Sequence, residues 1–397
     1  MKKKDIYVVS RMYKPLESLY NKKKLVHKGS PAYFELIKFY ENDPSFNLHL
    51  IFILDIKSGK KIKSFFLDEI KNKIQVVPYF KFLLLKNSKF EYLINKFYAY
   101  IKIYFLVKKK SIYYLDRDNL LLLYVLKFKK GLIVFRLLGL TKKIHDFILN
   151  KTSFIGFLYR KIFKSEDVLF LCSRDGSWHD SLKKNLRNEN LHILFNGYNF
   201  QKNQKKSNKS FFKLLYVSRL ENGKGLIDFI QIIENYLNKY GKKDFEVTIV
   251  GGGSLKEKLI QICNEKNIHN NVSFIGDINH KQLYKIYSQS SLFVSLNSFG
   301  IYSNTVIEAS ANNLPIIALD NKNIVDSIKD SFYLVDKNDY DRLHDVIFKF
   351  KIDNLFYKKY QLKSNSFFNT NISSWDKRLQ KEKEIINNFL IKKKLID

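Results

Sequence analysis

The chain has 397 residues, more than one hydrophobic core usually serves, and 45% of them are hydrophobic. Two packed domains are therefore expected, and disorder over most of the length is excluded. The formal net charge is +32, shared unequally: residues 1–200 hold 39 Lys and Arg against 17 Asp and Glu, residues 201–397 hold 31 against 21.

Such an excess attracts polyanions, whether nucleic acid, anionic lipid or phosphorylated substrate. Lys, Asn and Ile are all abundant, so an AT-rich genome is the other reading of the charge. Two cysteines, Cys172 and Cys263, are too few for a disulfide framework and read as core residues. No cluster of Cys and His suggests a metal. The start, MKKKDIYVVS, is basic, but its apolar run is too short for a signal peptide. No stretch reaches the ~18 uninterrupted apolar residues of a membrane span. The expected location is the cytoplasm.

In chain order, apolar runs predict strands at Ile6–Ser10, Leu48–Leu54, Ile74–Tyr79, Ile101–Val107, Leu132–Leu138, Val168–Cys172 and His192–Phe195. Helices are predicted at Pro31–Glu41, Asn119–Lys127, Lys142–Leu149 and Asp180–Asn188. The polar stretch from Gly197 to Asn208 reads as a linker.

The second half alternates more cleanly. Strands are predicted at Leu214–Ser218, Phe245–Val250, Val272–Ile275, Leu292–Ser295, Ile316–Leu319 and Phe332–Val335. Helices fall between them at Leu226–Leu237, Ser254–Lys266, Lys281–Gln289, Asn304–Ala311, Ile324–Ile328 and Tyr340–Phe350. Short apolar strands alternating with helices imply an α/β fold with a parallel sheet covered on both faces. Ser373–Lys394 reads as one or two amphipathic helices.

Open parallel sheets bind ligands at the carboxyl ends of their strands, so the loops there carry the chemistry. After Leu214–Ser218 come Arg219 and Lys224-Gly225. An arginine fork and a lysine point charge on one such loop can neutralise a diphosphate, or they are two solvated cations. After Phe245–Val250 come Gly251, Gly252 and Gly253, whose amides at a helix start suit an anion. Gly276-Asp277-Ile278 follows the next strand, where a nucleotide base could lie.

Ser303 or Asn304 can cap the following helix, leaving the amides of Asn304, Thr305 and Val306 to face a ligand. Glu308 lies one turn inside that helix among apolar neighbours. Burying it bare would cost several kcal/mol. Its partner is a ribose diol, with two hydroxyl donors for one carboxylate, or a nearby lysine.

The combination resembles the C-terminal domain of GT-B glycosyltransferases, in particular the retaining family 4 (glycosyltransferase group 1). The matching text is YVSRLENGKG from Tyr216 to Gly225, VTIVGGG from Val247 to Gly253, VSFIG from Val272 to Gly276, SNTVIEA from Ser303 to Ala309 and LPIIALD from Leu314 to Asp320. Asn196-Gly197 resembles the close of the family's first domain, and Ser374-Trp375-Asp376 the start of its terminal helix. The likeness covers residues 191–385 well and the first half loosely.

The resemblance implies two Rossmann-like parallel-sheet domains facing across a cleft. Residues 1–198 would be the acceptor side and 199–372 the nucleotide-sugar domain, with 373–397 crossing back to the first. Arg219 and Lys224 would bind the donor diphosphate and stabilise the leaving group, and Glu308 would hold the ribose. The donor site would further include Gly29, Gly251, Gly252, Asp277, Ile278, Ser303, Asn304, Thr305 and Val306. No metal or cofactor is implied. The partners would be a nucleotide-diphospho-sugar donor and a cell-surface polysaccharide or lipid-linked saccharide acceptor.

Two positions depart from the family pattern. Gly300 stands where most relatives carry a second Glu that touches the donor sugar, and Asn313 stands where a glycine is usual. Asn tolerates a left-handed backbone, so the helix end there can survive. A fold that binds a nucleotide but has weak or lost transfer is the alternative that Gly300 raises.

In the first half, Gly29 within Lys28-Gly29-Ser30-Pro31 would line the phosphates or acceptor, or simply start a helix. The segment Phe135-Arg136-Leu137-Leu138-Gly139 resembles a strand end facing the acceptor. His145, Asp146, Arg174, Asp175 and His179 are candidate acceptor-side groups. The basic, aromatic-rich stretches Lys22–Lys24, Lys61–Lys63, Phe80–Phe90 and Tyr100–Lys110 suit peripheral binding to an anionic membrane surface, or form a solvated lysine surface. A nucleic-acid binder rests on charge alone, without a recognisable motif, so no nucleic-acid partner is expected.

Overall fold

The structure is a computed structural model that describes residues 3–12, 31–54, 65–67, 70–78, 89–140, 142–150, 154–199, 211–298, 300–320 and 329–393. Two units emerge. The first comprises residues 1–173, 181–194 and 375–397, and the second 174–180 and 195–374. Gly29 and the predicted helix Ile324–Ile328 lie outside the described residues, as do residues 200–208 of the predicted linker.

The first unit is built on β1 (Lys4–Met12), β2 (Phe46–Leu54), β3 (Phe65–Leu67), β4 (Ile70–Pro78), β5 (Ile112–Asp116), β6 (Leu132–Leu137), β7 (Val168–Ser173) and β8 (Leu191–Leu194). Their order in the sheet is β3-β4-β2-β1-β5-β6-β7-β8. All pair in parallel except β3, which runs antiparallel to β4. Parallel strands need crossovers, supplied by α1 (Pro31–Asn42), α2 (Lys89–Leu106), α3 (Leu122–Leu126), α4 (Lys142–Leu149), α5 (Phe154–Phe163) and α6 (His179–Leu186). β6 and β7 are buried along their whole length, as a doubly covered sheet requires.

Ile101–Val107 is not a strand: Ile101–Leu106 completes α2, and the strand expected there is Ile112–Asp116 instead. Ile and aromatic residues favour strands when read in isolation. In α2 they wrap a helix whose burial follows helical spacing, with Ala99, Tyr100 and Ile103 inside and Phe97, Ile101 and Phe105 outside. Neither β3 nor α5 follows from the sequence pattern.

The second unit contains β9 (Phe212–Val217), β10 (Phe245–Val250), β11 (Val272–Gly276), β12 (Leu292–Ser295), β13 (Ile316–Leu319) and β14 (Tyr333–Val335). Here the strands read from the sequence are realised to within two residues, whereas the helix over Asn354–Asn371 does not follow from the sequence pattern. The sheet order is β11-β10-β9-β12-β13-β14, all parallel. Its helices are α7 (Leu226–Tyr240), α8 (Lys256–Glu265), α9 (His280–Gln289), α10 (Asn304–Ala311), α11 (Leu343–Ile352) and α12 (Asn354–Asn371).

Both faces of this sheet are covered, and β9 shows how. Leu214 and Tyr216 point into one core with α7, while Leu215 and Val217 point into the other with α10. Strand order reverses between β9 and β12, and in open parallel sheets the loops at such a switch point are where ligands bind.

The final helix, α13 (Trp375–Lys392), belongs to the first unit. Trp375, Leu379, Ile386, Phe389 and Leu390 join a core that includes Phe34, Ile37 and Tyr40 of α1. No helix among the described residues is long and apolar enough to cross a membrane.

Candidate functional site

The loops after β9, β10 and β12 meet at the switch point. The first must turn sharply to start α7, and Gly225 makes the turn with φ 68° as the helix N-cap. A Cβ there would lie 2.6 Å from the Leu296 carbonyl oxygen, so the β9 and β12 loops approach as closely as backbone allows. Tyr216 locks the approach: its hydroxyl donates to the Lys224 carbonyl and accepts from the Leu296 amide at 3.0 Å.

Lys224 therefore projects from a fixed backbone. Its Nζ donates to Asn297 Oδ1 at 3.1 Å, across the switch point. Burial lowers its pKa, and the like charge of Arg219 lowers it further. Arg219 is 74% exposed and pairs with Glu221 at 3.3 Å. Two cations thus share this loop, one anchored and one at the surface. Such an arrangement suits a polyanion with one end buried.

The loop after β10 presses against this one. Gly251 has φ 130°, and a Cβ on it would run into the Ser218 carbonyl oxygen. The Gly252 amide donates to Asp277 Oδ1 at 2.7 Å, so the Asp277 carboxylate is engaged in closing this loop. Ile278 is half-buried and packs among the residues beside α10.

Ser303 caps α10 with extended dihedrals, and its hydroxyl lies 2.9 Å from that of Thr305. Asn304 accepts from the Asn196 side chain at 2.9 Å. The Val306 amide already donates to the Ser303 carbonyl at 3.0 Å, and the residue is buried. Of the amides expected to face a ligand, that of Val306 is thus turned inward, because the first turn of α10 closes tightly.

Glu308 is 15% exposed and accepts from the Tyr287 hydroxyl at 3.0 Å, while His280 Nδ1 lies 4.0 Å from its other oxygen. Burial raises its pKa to about 7, with the Tyr287 hydrogen bond working against the rise. Burial lowers the pKa of His280. Among the described residues no lysine pairs with Glu308. A carboxylate so placed, with one neutral donor, retains capacity for further hydroxyl donors.

Gly300 proves to be a packing requirement. Its carbonyl accepts from Asn297 Nδ2 at 2.9 Å, and a Cβ at this position would strike the Asp175 carbonyl oxygen. Asp175 belongs to the second unit and is held there by the Tyr302 amide, which donates to its carbonyl at 2.9 Å. Its carboxylate accepts from the Ser177 amide at 2.9 Å, and burial raises its pKa to about 6. His179 Nδ1 contacts Ser177 Oγ at 3.1 Å, and Arg174 pairs with Asp180 at 3.3 Å. Asn313 adopts φ 54°, the left-handed geometry expected of the residue that replaces glycine.

The expected acceptor-facing segment around Arg136 has another use. Arg136 is buried and donates to Glu382 of α13 at 2.6 Å and to Tyr114 at 3.1 Å. His145 is also inside the first unit, 3.0 Å from Ser181 Oγ and 2.9 Å from Asp146. Among the described residues no three His, Cys, Asp or Glu side chains converge as metal ligands.

Tyr216, Asn297 and Tyr287 position Lys224 and Glu308, and the sequence alone assigns none of them a role. Their signal there is weak: one tyrosine in an apolar strand, one in a mostly polar helix and one asparagine just past a strand.

Comparison with known proteins places the second unit among glycosyltransferase sequences. Residues 198–366 match the model of glycosyl transferases group 1. An uncharacterized glycosyltransferase of Methanocaldococcus jannaschii is 30% identical over 176 residues, 41% of this chain and 42% of that protein. The capsular polysaccharide biosynthesis glycosyltransferase CapH of Staphylococcus aureus is 29% identical over 148 residues, 35% of this chain and 40% of that protein. The chain thus matches well under half the length of these relatives.

Among solved structures, Anabaena HepE in complex with UDP and glucose superposes with a TM-score of 0.67 at 12% identity, covering 97% of this chain and all of that one. That likeness shows the fold: two Rossmann-like parallel-sheet units of the GT-B type. Residues 198–366 are thus similar to the glycosyl transferases group 1 family.

Proposed function

We propose that this protein is a retaining, metal-independent hexosyltransferase of the family 4 type. It moves a sugar from a nucleotide-diphospho-sugar to a cell-surface polysaccharide or lipid-linked saccharide acceptor. The observation that carries the reading is Lys224 anchored to Asn297 across the switch point, with Arg219 on the same loop.

When the glycosidic C–O bond breaks, its electron pair goes to the β-phosphate oxygen. A fixed cation beside that oxygen favours the transition state over the bound donor. Arg219 exchanges Glu221 for phosphate oxygens as the donor binds. Glu308 accepts the ribose hydroxyls in its ionised form. The departing phosphate takes the acceptor proton in a front-face step, so no protein base is needed. The capsular relative and the UDP bound to HepE support the substrate classes. The net charge of +32 supports a cytoplasmic protein working peripherally at the inner, anionic face of the membrane.

The test is donor turnover with UDP-, GDP- and ADP-sugars. Arg219→Ala and Lys224→Ala should each reduce it by about 10²-fold or more, as loss of one charge-stabilising donor does. Unchanged rates in both would refute the assignment. A second reading, a nucleotide-binding protein with weak or lost transfer, is favoured by Gly300. The family's second carboxylate cannot be accommodated there while the Asp175 backbone holds its place. Nucleotide-dependent thermal stabilisation without turnover on any donor would select it.

A further inference from the structure

The C-terminal part of α2 carries exposed apolar side chains on one side. Ala99, Tyr100 and Ile103 face the core of the first unit. Phe97, Ile101 and Phe105, spaced four apart and therefore on one side of the helix, are 58%, 39% and 79% exposed. Beyond the helix end, the Lys110 amide donates to the Lys129 carbonyl at 2.9 Å, and Lys129 Nζ lies 4.1 Å over the Tyr104 ring. These contacts bring the turn carrying Phe128, which is 74% exposed, beside the end of α2. Lys102, Lys109, Lys110, Lys127 and Lys130 are exposed around it, as is Lys108, which pairs with Asp5 at 3.0 Å.

We propose that Phe97, Ile101, Phe105 and Phe128, rimmed by these lysines, form a docking surface for an anionic lipid bilayer. Apolar side chains enter the boundary between headgroups and acyl chains, and the ammonium groups stay level with the lipid phosphates. Charge complementarity selects this occupant. A second copy of the same face would oppose lysine to lysine. A nucleic acid would leave Ile101 and Leu106 without a flat surface to stack on. The proposal deepens the membrane reading above by giving it a place, and vesicle binding reads it without any transfer reaction.

The test is co-sedimentation of the full chain with vesicles of phosphatidylcholine alone or mixed with phosphatidylglycerol, near physiological salt. The chain should bind the anionic vesicles and release them as salt rises. Replacing Phe97, Phe105 and Phe128 together by serine should weaken binding by about tenfold or more, and the pair Lys109→Glu and Lys110→Glu by a similar factor. Leu355→Ser with Leu362→Ser, equally exposed but in the second unit, should change nothing.

Failure of the native chain to bind anionic vesicles overturns the whole membrane reading. Native binding that survives both sets of changes on α2 and its flanking turns overturns the location alone. Self-association that the serine variant abolishes, without vesicle binding, gives this face to a second copy. Absence of transfer on every donor would sink the enzymatic reading and leave this surface untouched.

Discussion

Glu308 is 15% exposed, and Tyr287 is its one hydroxyl donor among the described residues. Burial raises its pKa from 4.5 to about 7, so between these values the folded chain binds a proton that the unfolded chain releases. Its contribution to stability is therefore fully present below about pH 4.5 and lost as pH rises to 7 and above. The loss at pH 8 amounts to a few kcal/mol, because each tenfold difference in proton affinity between the folded and unfolded chain is worth about 1.4 kcal/mol. Glu308→Gln should raise the melting temperature at pH 8 and do little at pH 5. It should also weaken nucleotide binding by about tenfold, because a neutral amide oxygen accepts hydroxyl donors more weakly than an ionised carboxylate does. Calorimetry at the two pH values checks both. A variant no more stable at pH 8 would show that the carboxylate is better solvated than its burial implies. Native nucleotide affinity should climb as pH passes through about 7.

At the scale of elements, α13 is fixed to the first unit by a buried charge cluster as well as by apolar contacts. Glu382 receives Arg136 and Arg378, each at 2.6 Å, and the Tyr114 hydroxyl. Burial alone would raise the Glu382 pKa, but the two guanidinium groups hold it below the ordinary carboxylate value. Glu382→Ala would leave two buried guanidinium groups facing each other, and breaking such a pair costs about 3–5 kcal/mol. Lys383→Ala removes one partner of a part-buried pair with Asp43 at 2.6 Å and, with a single ion pair lost and both groups nearer solvent, should cost less, about 1–2 kcal/mol. Urea midpoints of the two variants test the contrast, and equal shifts would show that the cluster adds no more than a single part-buried pair. The same scale explains why the end of α2 reads as a strand in sequence. Its Ile, Tyr and Phe run looks strand-like until the alternation of buried and exposed residues is known to follow helical spacing.

The whole molecule has one unit assembled from distant parts of the chain. Residues 375–397 belong with residues 1–173, although the entire second sheet lies between them in sequence. Ending the chain after Ser374 should strip Trp375, Leu379, Ile386, Phe389 and Leu390 from the first core. The first unit should then become protease-sensitive while the second keeps its nucleotide binding. Limited proteolysis with and without UDP would show this. A first unit that stays resistant would mean its core closes without α13.

The second sheet was legible in the sequence because its signals are local. Each strand is a short apolar run, each helix follows within a few residues, and glycines mark the turns where backbones meet. Arg219, Lys224 and Glu308 could be singled out because together they stand in a family-like order of motifs, although each alone is also open to a structural reading. Tertiary structure alone decided what holds them. Tyr216, Asn297 and Tyr287 act through contacts 8 to 80 residues away, and no sequence window carries such pairings. It also turned Gly300 from a missing side chain into a packing requirement, and Arg136 from a candidate acceptor contact into a buried ion pair. Local order is set by propensity and period, which a sequence displays. Which groups meet across the fold depends on how covered sheets stack their loops, and only the folded chain displays that.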